Sequence, residues 1–267
     1  MPHWFKATIR LIPIVGGVSA VAVLGLVLVR QCLTVDDLKS STDAVGNYLQ
    51  TVGGIYAVLL AFIVYVVWGQ FNDGRNYVER EATALVDLHR IATGLPTVSR
   101  KEIQSALRQY LDEVVAKEWG AMARHDEDVL EAVGHHLDHV WTAIHQCKPA
   151  TDCQHTVYTE VLSRFNDLSD LRTGRLTSSR TRIPLLMKLL LYFGATIVVG
   201  SIYLMAVEKF WIHAVITAAL AGAVAHIIFL IQDLDNLFAG HLQVSKAPFE
   251  RARRTFDRSV HQVDSIS

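Results

Sequence analysis

The sequence is short of several things that enzymes and nucleic-acid binders depend on. Its 267 residues include three cysteines, none in a C-x-x-C spacing, too few for a disulfide scaffold. The 25 Lys and Arg nearly balance the 26 Asp and Glu, leaving a formal net charge of −1. No Lys/Arg block is interleaved with aromatics, so no nucleic-acid partner is expected. There is no nucleophile elbow, phosphate-binding loop, dinucleotide fingerprint or zinc-protease motif. Enzyme activity therefore has no positive support, and no cofactor is expected. No stretch reads as a strand or an internal repeat.

What is present is apolar residue in long runs. Hydrophobic residues make up 51% of the chain, and contiguity matters more than content. About 20 uninterrupted apolar residues span a bilayer as a helix, and soluble helices rarely sustain that. Four windows qualify, at about Leu11–Val29, Tyr48–Phe71, Pro184–Val207 and Phe210–Ile231. Lys188 lies one turn into the third, where its stem can snorkel to the interface. The last two windows are nearly contiguous and predict a tight hairpin. Lys6 and Arg10 before the first window resemble the basic start of a signal peptide. That run is longer than a signal core, however, and no small-x-small cleavage site is followed by a polar start. The expected fold is an all-α integral membrane protein: a hairpin in residues 1–71, a helical segment in 72–183, a second hairpin in 184–231 and a tail in 232–267.

Lys and Arg counts near the spans set the orientation. One side carries Lys6, Arg10, Arg75, Arg80, Arg90, Arg172, Arg175, Arg180, Arg182, Lys246, Arg251, Arg253, Arg254 and Arg258, the other only Lys39 and Lys209 with Arg30 at the boundary. Both termini and the middle segment are therefore expected in the cytoplasm. Cys147 and Cys153 bracket a Pro-containing loop as an extracytoplasmic clip would, but the charge asymmetry rests on many more residues, and cytoplasmic cysteines stay reduced.

Good helix formers continue past the second window through Glu79, Glu81, Leu85 and Ile91 until Gly94-Leu95-Pro96. Ser99 with Glu102 then predicts a capping box, and Asp126 an N-cap before the stripe Val129, Leu130, Val133, Leu137, Val140 and Ile144. A fourth helix follows the Cys147–Cys153 loop, along Val157, Val161, Phe165, Leu168 and Leu171. Glu131, His135 and His139 have the spacing of a divalent-metal site, but the apolar stripe takes the opposite face and leaves them as a solvated polar surface. No metal site is expected.

Ionisable residues within a span are functional candidates because their burial is costly. They are His213, near the outer interface, and His226, with Asp233 seven residues later on nearly the same face. Small residues at intervals of four, Gly53/Ala57/Ala61 and Ala214/Ala218/Gly222, permit close helix approach and should face protein. Opposite the first of these stripes lie Thr51, Ile55, Val58 and Phe62, facing lipid, another span or a pore.

Gly54-Ile55-Tyr56-Ala57 through Leu60-Ala61-Phe62, Trp68-Gly69-Gln70-Phe71, Arg75 and Glu79-x-Glu81-Ala82 resemble the bacterial bestrophin-like membrane family. Asp235-Asn236-Leu237-Phe238-Ala239-Gly240, followed by Val244-Ser245 and Pro248-Phe249, resembles that family's Asp-x-Pro-Phe-x-Gly segment. The resemblance implies a homo-oligomer, a pentamer if bestrophin-like, in the bacterial cytoplasmic (inner) membrane, with the lipid bilayer and a small anion as partners. Its constriction would fall on Asn47, Thr51 and Ile55. Those positions are polar or aliphatic where bestrophins are largely aromatic, Leu237 stands at the motif's Pro, and the acidic calcium clasp is missing after Gly240. Calcium gating is not expected. The reading is an oligomeric ion channel or channel-like pore lined by the second span. Its alternative is a non-conducting interaction or sensory protein whose helical segment binds a partner.

Overall fold

A computed structural model describes residues 3–240 and 242–264, with side chains described for residues 11–240 and 242–258. The side chains of Lys6 and Arg10, counted above for orientation, lie outside the described set. Among the described residues there is no strand. The helices are α1 (His3–Cys32), α2 (Val35–Lys39), α3 (Thr42–Ile91), α4 (Thr97–Glu113), α5 (Trp119–Arg124), α6 (Glu127–His145), α7 (Asp152–Arg180), α8 (Leu185–Tyr203), α9 (Phe210–Asp235) and α10 (Ala247–Asp264). Four helical segments, in α1, α3, α8 and α9, are long and apolar enough to cross a membrane.

The chain divides into two compact units: residues 1–69, 182–235 and 240–242, and residues 70–181, 236–239 and 243–267. In the first, α1 packs along α9. At their contact Ser19 donates its hydroxyl to the Ala218 carbonyl at 3.0 Å, and a Cβ on Gly222 would stand 2.9 Å from the Ser19 Oγ. The small-residue stripe of the fourth span is thus a close helix contact, as its spacing predicts. The corresponding stripe of the second span behaves differently: Ala57 and Ala61 are exposed, and α3 instead buries Tyr56, Leu60, Ile63 and Val67. The small residue that admits Tyr56 is Gly194 on α8, where a Cβ would collide with the ring.

Helix α8 stops at Tyr203, four residues before the expected end at Val207, and residues 204–209 form a longer turn than the near-contiguous windows imply. Side chains hold that turn. His213, 1% exposed, places its Nε2 at 2.8 Å from the Ile202 carbonyl, so Nε2 carries the proton and Nδ1 accepts from Arg30 at 3.0 Å. Arg30 also donates to the Val207 carbonyl. A helix that ends inside apolar surroundings leaves carbonyls in need of donors, and these two residues supply them.

In the second unit, α3 runs on to Ile91 and a 3₁₀ turn at Ala92–Gly94 closes it. Helix α4 begins at Thr97 after Pro96, two residues before Ser99, which is buried inside the helix instead of capping it. Pro96 itself is the N-cap, with extended backbone, and no side chain caps the helix. Asp126 caps α6 as expected, accepting from the Val129 N–H at 3.4 Å. Between α4 and α5 the helix widens into a π turn at Val114–Glu118, and His125 ends α5 in the left-handed conformation (φ 56°). The tail beyond residue 246 is not irregular: α10 buries Phe249, Ala252 and Phe256 in this unit's core.

Candidate functional site

The proposed pore positions share the outward side of α3. Asn47 and Thr51 are exposed, as are Ile55 (67%), Val58 (72%) and Phe62 (55%). The Thr51 hydroxyl donates to the Asn47 carbonyl at 3.0 Å, which spends its proton within the helix and presents lone pairs and a methyl outward. Gly54 is open, with nothing within 4 Å of an added Cβ, and Trp68 is half exposed. Among the described residues no helix covers this side, whereas Tyr56, Leu60, Ile63 and Val67 on another side of α3 are buried.

The other family-motif residues divide among different tasks. Asp235 is buried at the end of α9; it accepts from the Ile183 N–H at 2.7 Å and pairs with Lys188 at 2.8 Å. It thereby caps the approach to α8, and Lys188 is held by an ion pair where the sequence suggested a snorkelling stem. Asp233 accepts from the Leu242 N–H at 2.9 Å. His226 sits on an exposed face of α9. In the second unit Phe238 is buried edge-on to Trp119, which also meets Phe249. Arg75 is exposed, Gly240 is partly buried, and Glu79 pairs with Arg251 at 2.8 Å.

Glu81 has a larger role than its motif suggests. Arg175, fully buried, makes a forked contact with it, Nε to Oε2 at 2.6 Å and Nη2 to Oε1 at 3.0 Å, and reaches Glu118 at 2.7 Å. Tyr110 donates to Glu81 at 2.7 Å, Arg172 binds Glu118 at 2.6 Å, and the Arg175 guanidinium lies 5.5 Å from the centre of the Phe249 ring. Residues of α3, α4, the π turn, α7 and α10 therefore meet at one charge-balanced knot. Burial alone would lower the pKa of Arg175, but the Glu118 and Glu81 carboxylates outweigh it and hold the pKa well above the ordinary guanidinium value. Burial, with the same two carboxylates, holds the Tyr110 phenol well above its ordinary range. Arg175 and Tyr110 therefore stay protonated at physiological pH.

The sequence reading missed this knot, although the signal was available. Glu81, Glu118 and Arg175 each stand at helical spacing within an otherwise apolar stripe: Val78–Leu85, Leu111–Val115 and Leu168–Leu171. A charge there must find an opposite charge.

The Glu131, His135 and His139 side chains are exposed, and His135 turns to Asp138 at 3.4 Å. Among the described residues no three His, Cys, Asp or Glu side chains form a group that could hold a metal. Cys147 is buried and Cys153 exposed, both as free thiols.

Comparison with known proteins places this architecture. A search of curated proteins finds no match. Among solved structures, a variant of a bacterial Bestrophin homolog from Klebsiella pneumoniae superposes with a TM-score of 0.70 at 14% identity, covering 91% of this chain and 97% of that chain. The same homolog solved by zinc phasing gives 0.64 at 14% identity, covering 94% of this chain and 97% of that one. The Bestrophin-like domain model matches residues 16–249, which takes in most of the first apolar helix, the other three, the Glu81–Arg175 knot and the Asp235–Gly240 segment, and on that match this chain belongs to the Bestrophin-like family.

Proposed function

We propose that the chain is one subunit of an oligomeric anion channel in the bacterial cytoplasmic membrane, with α3 lining the pore. In this reading both termini and the segment between the second and third spans lie in the cytoplasm, and five subunits surround the conduction axis. The observation that carries the reading is the two-sidedness of α3. Tyr56, Leu60, Ile63 and Val67 are buried against their own chain, while Asn47, Thr51, Ile55, Val58 and Phe62 are exposed. A side that begins with an amide and a hydroxyl and continues through aliphatic to aromatic residues suits a narrow hydrophobic pore with a polar mouth better than it suits lipid alone. The preference for anions comes from the family.

The test is flux from reconstituted protein. Ile55→Ala widens the proposed constriction and Thr51→Val removes a hydroxyl at nearly constant size. Both should change conductance or ion preference, while Leu24→Ala, on an exposed side of α1, should not. Absence of flux under all salts, voltages and pH values, or a robust flux that neither substitution alters, would sink the pore reading and favour a non-conducting interaction protein. Orientation is checked separately. In a background without Cys32, Cys147 and Cys153, a cysteine at position 131 should be labelled from the cytoplasmic side and one at position 39 from outside.

A further inference from the structure

We propose that the second unit binds a small organic ammonium ion between α3 and α7, in a cavity of about 390 Å³ lined by Gln70, Asp73, Tyr77, Thr173, Ser178 and Thr181. Gly174 and Thr177 complete the lining. Two of its hydroxyls spend their only proton on helix carbonyls one turn back: Thr173 to Ser169 at 2.9 Å and Ser178 to Gly174 at 2.9 Å. What these oxygens offer the cavity is lone pairs. Gln70 adds a buried amide oxygen with no hydrogen-bond partner, and Asp73 adds the one formal charge of the lining. A buried acceptor left unpaired is costly, and the Asp73 carboxylate in the same lining favours an occupant that is a positively charged donor.

Charge and size narrow the occupant. A single carboxylate matches a single positive charge and is too little for a divalent cation, which collects several carboxylates. A bare inorganic ion also needs its oxygens drawn into one shell about 2.3–2.6 Å from it. The acceptors here stand on two helices, α3 and α7. An alkylammonium head carries N–H donors outward to such spread acceptors. The Tyr77 ring completes the wall: it lies against α7 where a Cβ on Gly174 would collide with it.

The experiment uses the full chain in detergent and follows Tm at constant ionic strength. Methylammonium chloride is the probe, and tetramethylammonium chloride, which has the charge without N–H donors, is the reference. A ligand that binds only the folded state raises Tm saturably. Methylammonium should give such a rise and tetramethylammonium none. Asp73→Asn should weaken the apparent affinity at least tenfold, and Ser178→Ala by a smaller factor. Asp73 is exposed, so its variant is expected to fold, and its own Tm in tetramethylammonium supplies the baseline. Equal Tm in the two salts overturns the proposal and leaves a cavity that holds only water. A rise that survives Asp73→Asn overturns it as well, as does an equal rise with sodium or potassium chloride. None of these outcomes depends on whether the protein conducts.

Discussion

Tyr56 on α3 crosses to α8 at Gly194 and donates its hydroxyl to the Leu191 carbonyl at 2.8 Å. One aromatic ring and one missing side chain thus set this contact within the membrane unit. Gly194→Leu forces bulk into the space of the ring and should cost about 1–3 kcal/mol. Tyr56→Phe keeps the packing and loses one hydrogen bond, about 0.5–1.5 kcal/mol. Thermal unfolding in detergent should rank the two in that order, and the reverse order would mean that the hydroxyl, not the fit, holds the helices together.

The Glu81–Arg175–Glu118 knot should respond to unbalancing more than to neutral replacement. Arg175→Met leaves two buried carboxylates with Arg172 as their remaining cation and should destabilise by about 3–5 kcal/mol. Adding Glu118→Gln to that variant should recover part of the loss, because one uncompensated charge is gone. Strict additivity of the two substitutions in a double-mutant cycle would show that the residues do not interact.

His89 supplies a pH signature. Its ring stacks on Phe256 with centroids 4.1 Å apart, and burial, assisted by the Arg108 charge, lowers its pKa from 6.5 to about 4. The unfolded chain therefore binds this proton more readily than the folded one between those values. The contribution of His89 is fully present above pH 6.5 and is lost as pH falls toward about 4. The difference in Tm between wild type and His89→Asn should shrink across that window. A difference that stays constant from pH 7.5 to 4.5 would show that His89 protonates freely in the fold.

Gly222 and Gly53 separate folding from assembly. A Cβ on Gly222 meets Ser19 and Val15, whereas Gly53 has nothing within 4 Å in its own chain. Gly222→Leu should lower Tm and yield at any protein concentration. Gly53→Leu should leave the subunit folded and act, if a neighbouring subunit covers that side, only on oligomer size in detergent. Equal loss of folding in both variants would remove the distinction.

The four apolar windows were legible because spanning length is a local property, visible as an uncharged run. The Asp126 cap was equally local, since a side chain reaches only its own first turn. The pairing of sides was not legible. Both spans with small-residue stripes read alike, yet Ala218 and Gly222 meet α1 while Ala57 and Ala61 are exposed, and α3 turns Tyr56 toward a glycine 138 positions later. Likewise Lys188 could be read as snorkelling until Asp235 was found beside it. The sequence by itself determined which segments are apolar enough for a membrane and the main helices between them, though not α10, because periodicity and contiguity follow from neighbouring residues. Only the tertiary structure decided which side of α3 is left uncovered, and that Glu81, Glu118 and Arg175 share one knot, because burial and charge compensation belong to pairs of residues distant along the chain.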